Sequence, residues 1–446
     1  MSTEQPREDV DSLIHARWII PVNDGPEVLE HHSLAIRDGR ILAILPRDVA
    51  DIRFQARQET RLDAHALIPG LVNAHGHAGM TLLRGVADDQ PLHTWLQEHI
   101  WPLEQRWVSE EFVHDGSQLA MAEMLRGGTT CFADMYFVPN AVARAAQQAN
   151  IRVQLASPIL DFPTQWGTGP EDYINKAARL HDEYRNSQLI SLAFGPHAPY
   201  TISDEPLRQV GMLAEELDIP IHIHLHETRQ EVEEAQAQQG KRPLQRLQEL
   251  GLPGPRLLAV HATQLDEAEI RLLAETGSHV VHCPHSNMKL ASGFCPVQSL
   301  REAGVNVALG TDGAASNNDL DMFAEMQTAA LLAKVVAGDA SALPAHEALR
   351  MATLNGARAM GLDEQIGSLE PGKFADLVAV RLDAVNTLPV YNPVSQLVYS
   401  SQSSQVSDVW VGGRRVIEQG KHTTLTLGAL REKSSAWQQK ISQETT

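Results

Sequence analysis

His75 and His77 stand one residue apart at the end of the apolar run Leu67-Ile68-Pro69-Gly70-Leu71-Val72-Asn73. Along a strand, residues i and i+2 project to one face, so both imidazoles can converge on a single point. Neutral imidazole is a common zinc ligand, and the pair reads as half of a metal site. The chain holds 20 histidines, and a lone His-x-His pair arises by chance against such a background. Further polar residues gather where other strands should end. They are His197 after Gly195-Pro196, the cluster His222-Ile-His224-Leu-His226-Glu227, His261, His282, and Asp312 in Thr311-Asp312-Gly313. An isolated histidine is ordinarily a satisfied core or surface imidazole. Satisfied imidazoles do not collect at the same end of five or six successive strands with an aspartate at the eighth.

Two imidazoles from the first pair, one from the 222–226 cluster and the Asp312 carboxylate offer three nitrogens and one oxygen. That set suits zinc with one position left for water. Zinc lowers the pKa of a bound water from about 15.7 towards about 7, which makes a nucleophile at neutral pH. Glu227 follows His224 by three residues and can face the same cavity without binding the metal, the placement a proton shuttle needs. His222, His224 and His226 share one parity, so spacing alone leaves the ligand among them open.

Such residues need a scaffold that brings strand ends together. Short β-branched runs at 67–74, 129–134, 151–157, 190–195, 219–225, 257–262, 278–282 and 304–311 alternate with stretches such as 110–127 and 203–217. Those stretches carry apolar residues at helical spacing. Eight strands with room for a helix after each is the arithmetic of a closed (β/α)8 barrel, whose active sites lie at the C-terminal strand ends. An open doubly wound sheet is the alternative, but no Gly-x-Gly-x-x-Gly turn follows a strand. The flanks hold two hairpin signatures: Ser33–Arg37 and Arg40–Ile44 around Asp38-Gly39, and Asp408–Val411 and Arg414–Ile417 around Gly412-Gly413. The expected fold is α/β: a TIM-like (β/α)8 barrel over 67–366 with a small β-sandwich domain formed by both chain ends, 1–66 and 367–446. The last stretch, 427–446, reads as an amphipathic or frayed helix without assignable chemistry.

Bulk properties narrow the partners. An apolar share of 43% and a charged share of 21% are those of a globular protein with a large core. A net charge of −20 disfavours nucleic acid and anionic membrane surfaces and favours neutral or cationic small molecules. The three cysteines, Cys131, Cys283 and Cys295, are an odd and unclustered set that argues for a reducing compartment. The start of the chain is polar and acidic, and no run of 18 apolar residues occurs, so a cytoplasmic location is expected. Barrels with exposed outer helices often dimerise, which leaves room for a homo-oligomer.

Several ordered motifs carry a resemblance. They are Pro69-Gly-Leu-Val-Asn-Ala-His-Gly-His77, Met80-Thr-Leu-Leu-Arg-Gly-Val-Ala87, Gly195-Pro-His-Ala-Pro-Tyr200 and His222-x-His-x-x-Glu227. Others are Ser286-Asn-Met-Lys-Leu290, Gly310-Thr-Asp-Gly-Ala-Ala-Ser-Asn-Asn318, Met351-Ala-Thr-Leu-Asn-Gly-Ala357 and Ile366-Gly-Ser-Leu-Glu-Pro-Gly-Lys-Phe-Ala-Asp-Leu377. In these the chain resembles the amidohydrolase superfamily over nearly its full length. Within it, the chain is similar to the 5-methylthioadenosine/S-adenosylhomocysteine deaminases. The resemblance implies one zinc ion per chain on His75, His77, His224 and Asp312. It implies substrate contacts from Glu104, His197, Glu227 and Asp312, with Glu104 on the ribose hydroxyls. It implies catalysis by Glu227, His261 and Asp312, with His261 beside the reactive water.

The implied reaction replaces the 6-amino group of an adenine nucleoside by oxygen. One departure from the resemblance bears on the substrate. Related enzymes that handle a homocysteine tail use arginines after the third strand, yet Ser157–Gly169 contains none. Arginine is the natural bidentate clamp for a carboxylate. Phe162 and Trp166 in that segment suit an apolar methylthio group instead. The expected reaction is therefore 5′-methylthioadenosine to 5′-methylthioinosine and ammonia. S-adenosylhomocysteine or adenosine deamination, and guanine, cytosine or triazine aminohydrolysis, are the alternatives. A two-metal site would place a bridging lysine at the end of the fourth strand, where this chain has Pro196-His197. His181-Asp-Glu183 matches His-x-Glu, but no Pro-Cys-x-x-Cys completes the zinc site of a nucleic-acid deaminase.

Overall fold

The computed structural model describes residues 7–25 and 27–443. The expected terminal stretches 1–6 and 444–446 lie outside the described residues. Eight parallel strands form the barrel in sequence order: Leu71–Asn73, Thr129–Asp134, Arg152–Ile159, Ile190–Pro196, Ile221–Leu225, Leu257–His261, His279–His282 and Asn306–Leu309. Nearly every residue in them is buried, as expected where side chains fill the barrel on one face and meet helices on the other. Two backbone bonds join the last strand to the first: Ala74 N donates to Leu309 O at 2.8 Å, and Asp312 N to His75 O at 3.0 Å. The closing bonds thus fall beside two residues of chemical interest.

Helices follow the strands where the apolar spacing placed them, including Glu110–Arg126 and Asp204–Leu217. Their ends obey local rules. Ser109 caps the first by accepting from Phe112 N at 3.2 Å, and Asp266 and Glu269 form a capping box at Glu267–Thr276.

Both chain ends build a second, mixed sheet. Its order is Lys421–His422, Arg414–Glu418, Val406–Val411, Leu377–Arg381, Phe54–Pro69, Glu8–Ile19, His32–Arg37 and Arg40–Pro46, with Leu29–Glu30 beside Glu8–Ile19. Both expected hairpins are present. Asp38 and Gly39 have φ of 52° and 75°, and Gly412 and Gly413 of 56° and 76°, the left-handed pairs that two-residue turns require. The two turns meet: a Cβ on Gly39 would lie 2.7 Å from Gly412 O. Arg152 ties barrel to sheet, with Nε 2.6 Å and Nη2 3.0 Å from the two carboxylate oxygens of Asp376.

One element differs from its expectation. The run 67–74 is not one strand. Residues through Pro69 belong to Phe54–Pro69 of the mixed sheet, and the barrel strand starts at Leu71. Pro69 has no N–H to continue a ladder. Gly70 then turns the chain past Thr130, whose Oγ1 would sit 1.9 Å from any added Cβ. The 427–446 stretch also gains a place: Leu427–Ser442 is a helix packed on Glu110–Arg126 rather than part of the mixed sheet. No helix among the described residues is long and apolar enough to cross a membrane.

Candidate metal and substrate site

At the C-terminal mouth of the barrel, His75 and His77 approach a single carboxylate oxygen. Their Nε2 atoms lie 3.3 Å and 3.2 Å from Oδ1 of Asp312. The His224 ring joins them, its centroid 4.9 Å from that of His75 and 5.5 Å from that of His77. Ligand atoms of His75, His77 and His224 all lie within 4.8 Å of one another, as do those of His75, His261 and Asp312. Residues that are 237 positions apart in sequence therefore converge, because the barrel closes its last strand on its first.

Each ring is held from behind through Nδ1. His77 Nδ1 bonds Met135 O at 2.6 Å, His224 Nδ1 bonds His197 O at 2.7 Å, and His261 Nδ1 bonds Asn287 Oδ1 at 2.9 Å. His75 Nδ1 lies 2.8 Å from Nε2 of His222. The four Nε2 atoms are left for the centre. His75 Nε2 is buried and makes no hydrogen bond among the described residues. Asp312 is equally fixed: Ser286 Oγ and Ser316 Oγ donate to Oδ2 at 2.6 Å and 2.8 Å, and Gly313 N donates to Oδ1 at 2.8 Å. Its φ of 63° is left-handed, a conformation that aspartate tolerates better than most residues.

Electrostatics agree with a cation at this point. Burial lowers His75 to about 4, against the pull of Asp312. Burial alone would lower His77 as well, but hydrogen bonding and charge from Asp312 outweigh it and raise His77 to about 9. The Asp312 carboxylate thus favours positive charge beside it, whether a proton on His77 or a cation in its place. Three imidazole nitrogens and one carboxylate oxygen, one of the nitrogens orphaned, fit a zinc ion with an open position.

The cavity in front measures about 450 Å³. His77, His197, His224, Glu227, His261 and Asp312 line its floor, and Glu104 its wall. Burial holds Glu227 above the usual carboxylate range, opposed by the nearby His261, whose Nε2 is 3.8 Å from Glu227 Oε2. Burial also raises Glu104 to about 7, opposed by the Tyr136 hydroxyl and by His77. Burial and the charges of His77 and His75 lower His197 to about 4. The apolar side of the wall includes Leu92, Trp95 and Ile100, delivered by a short helix that widens at Trp95–Ile100 and leads into Trp101–Trp107. No lysine or arginine lines the cavity among the described residues.

The structure resolves what spacing left open in the 222–226 cluster. His224 faces the centre, whereas His222 lies behind His75. Alternation fails at His226, where φ turns to 53° and Nε2 accepts from Leu244 N at 3.1 Å. His282 is buried and lines no part of the cavity. Phe162 does line it, but Trp166 does not: its ring lies 5.0 Å from Lys176 Nζ, and it anchors the loop. Ser286, Asn287 and Ser316 were not distinguished by sequence, although they lie in quoted motifs. A hydroxyl or amide that acts by hydrogen bonding from another segment leaves no spacing signal.

The amidohydrolase family model matches residues 66–416. The chain belongs to the amidohydrolase family. It is 55% identical over 431 residues to the 5-methylthioadenosine/S-adenosylhomocysteine deaminase of Saccharophagus degradans, with 97% of each chain covered. It is 52% identical to the enzyme of the same name from Teredinibacter turnerae, over 97% of this chain and 98% of that one. Among solved structures, an adenosine deaminase from Xanthomonas campestris with bound zinc superposes with a TM-score of 0.97. That protein is 51% identical, and the match covers 98% of this chain and 100% of that one.

Proposed function

We propose that the protein is a zinc-dependent aminohydrolase that converts 5′-methylthioadenosine to 5′-methylthioinosine and ammonia. The observation that carries this reading is the cavity itself: a donor set for one metal, two raised carboxyls and, among the described residues, no lysine or arginine in the wall. The names of the relatives that are 55% and 52% identical support the same substrate class.

His75, His77, His224 and Asp312 would hold one zinc ion, which supplies the Lewis acidity that makes water nucleophilic at neutral pH. Asp312 accepts a proton from that water and delivers it to the leaving nitrogen as the C6–N bond breaks. Glu227, protonated, donates to ring N1 and is reprotonated when the new oxygen at C6 loses its second proton. His261 hydrogen-bonds the attacking water. Glu104 accepts from the ribose hydroxyls, and His197 contacts the base or sugar. General acid–base help of this kind contributes about 10²–10⁴-fold.

The 5′ substituent follows from charge. A homocysteine tail brings a carboxylate and a nucleotide brings a phosphate; among the described residues neither meets a lysine or arginine in the lining, which does carry the carboxyls of Glu104, Glu227 and Asp312. Phe162 offers a methylthio group an apolar neighbour. A charge-assisted hydrogen bond contributes about 1.5–3 kcal/mol. Its absence should leave S-adenosylhomocysteine at least about tenfold below methylthioadenosine in kcat/KM. An absorbance assay with methylthioadenosine, S-adenosylhomocysteine, adenosine and AMP tests this. Equal or better turnover of S-adenosylhomocysteine would overturn the substrate assignment, and no deamination of any of them would overturn the function.

Residues 1–66 with 367–446, and residues 67–366, are proposed as the two domains, with Phe54–Pro69 crossing between them. Three buried, unpaired cysteines suit a reducing compartment, and the cytoplasm is the proposed location.

A further inference from the structure

His222 belongs to the strand Ile221–Leu225, is fully buried, and touches no part of the cavity. Its Nε2 lies 2.8 Å from Nδ1 of His75, the two rings tilted by 36°. Two neutral imidazoles can place only one proton in such a contact, so one nitrogen donates and the other accepts. The other end of His75 decides which. Its Nε2 is buried, 3.3 Å from Asp312 Oδ1, and without a hydrogen bond among the described residues. A nitrogen that binds a cation must offer its lone pair, which leaves the ring proton on Nδ1. His222 Nε2 is then the acceptor. Its own proton sits on Nδ1, which is likewise buried without a partner among the described residues.

A metal-binding histidine usually donates its second N–H to a carboxylate, a backbone carbonyl or water. His77 and His224 follow that habit, through Met135 O and His197 O. His75 is backed by a second ring. A backbone carbonyl accepts whichever side chains surround it, but an imidazole accepts only in one tautomer. The orphaned Nδ1 of His222 is the cost of that arrangement, and packing alone would favour an apolar residue there.

We propose that His222 is a positioning residue that fixes His75 as the Nδ1–H tautomer and thereby sets the zinc affinity of the site. This rests on the zinc reading of His75 given above. The experiment measures zinc affinity of the full-length, zinc-stripped protein by competition with a chromogenic chelator, for wild type, His222→Leu and His222→Gln. Removing the acceptor in His222→Leu should cost about 10–100-fold in affinity. The melting temperature of the zinc-free protein should fall only modestly, because the loss of a partner for His75 Nδ1 is offset by removal of the orphaned Nδ1 of His222. His222→Gln, whose side-chain oxygen can accept from His75, should keep the greater part of the affinity. Unchanged zinc affinity in His222→Leu would overturn the proposal. So would equal losses in both variants, since packing rather than hydrogen bonding would then be the cause. A second readout needs no substitution. Nitrogen NMR of the zinc-loaded wild type should find the shared proton on Nδ1 of His75, and a proton on Nε2 of His222 would overturn the assignment. A wild type that takes up no zinc would defeat the site reading, whereas normal zinc uptake with an unaffected His222→Leu would defeat only this positioning role.

Discussion

Glu227 and Glu104 are both raised by burial, and the two shifts predict different kinetics. Glu227 keeps its proton at pH values where an exposed glutamate has lost it, which suits a donor to ring N1. Glu227→Gln keeps the shape and removes the exchangeable acid. Turnover should fall about 10²–10⁴-fold, with zinc content by metal analysis unchanged. Glu104 titrates near 7 and accepts best when ionised. As pH falls through about 7 it gains a proton, so KM for the nucleoside should rise towards acid pH while kcat changes less. Glu104→Gln should flatten that limb, and a wild-type KM equal on both sides of neutrality would separate Glu104 from the sugar. Both acids differ in how legible they were. Glu227 stands three residues beyond His224 at a strand end, which marks it by spacing alone. Glu104 sits on an ordinary-looking helix, and only resemblance singled it out. Ser286 and Ser316 carried no mark at all, because their worth lies in reaching one oxygen of Asp312 from two separate turns.

The elements were legible to the extent that periodicity governs them. Strand alternation put His224 on the inner face, and the same parity carried past the strand end at Asn73 to His75 and His77, but it stopped being a guide beyond Leu225. At His226 the backbone turns left-handed, so the parity that grouped it with His224 no longer holds. The split at Gly70 was hidden for a similar reason: an apolar run reads the same whether it serves one sheet or two. What replaces alternation after strand five is a staple. Glu231, in the first turn of Arg229–Gln239, accepts from His226 N at 3.0 Å and from Glu227 N at 2.7 Å. One side chain thus fixes the turn that presents Glu227. Glu231→Ala orphans two buried N–H groups at about 1–3 kcal/mol each. The expected variant is less stable in urea, binds zinc normally and has a lower kcat. A loss of stability without any loss of kcat would show that Glu227 needs no such support.

For the whole molecule, the least expected link runs from the chain's last helix to the substrate wall. Leu427–Ser442 packs on Glu110–Arg126, and Trp437 buries its ring against Phe112 with centroids 5.3 Å apart. Trp437 Nε1 and Lys433 Nζ both donate to Asp115, at 3.1 Å and 2.7 Å. Although burial tends to raise that carboxyl, these donors hold it below its usual range. Trp437 also meets Trp107 edge to face at 6.2 Å, and Trp107 ends the helix Trp101–Trp107 that carries Glu104. The C-terminal helix therefore braces the wall that is proposed to grip the ribose, from more than 300 residues away in sequence. Trp437→Ala empties the contact and should cost about 3–5 kcal/mol of stability. Assayed well below its melting temperature, the variant should show a raised KM with kcat nearly intact, because the proposed zinc ligands and Glu227 sit at the ends of barrel strands, whereas this helix packs mainly on Glu110–Arg126. A variant that loses stability but keeps the wild-type KM would confine the helix to a structural role. A fall in kcat alone would mean that the brace reaches the barrel floor.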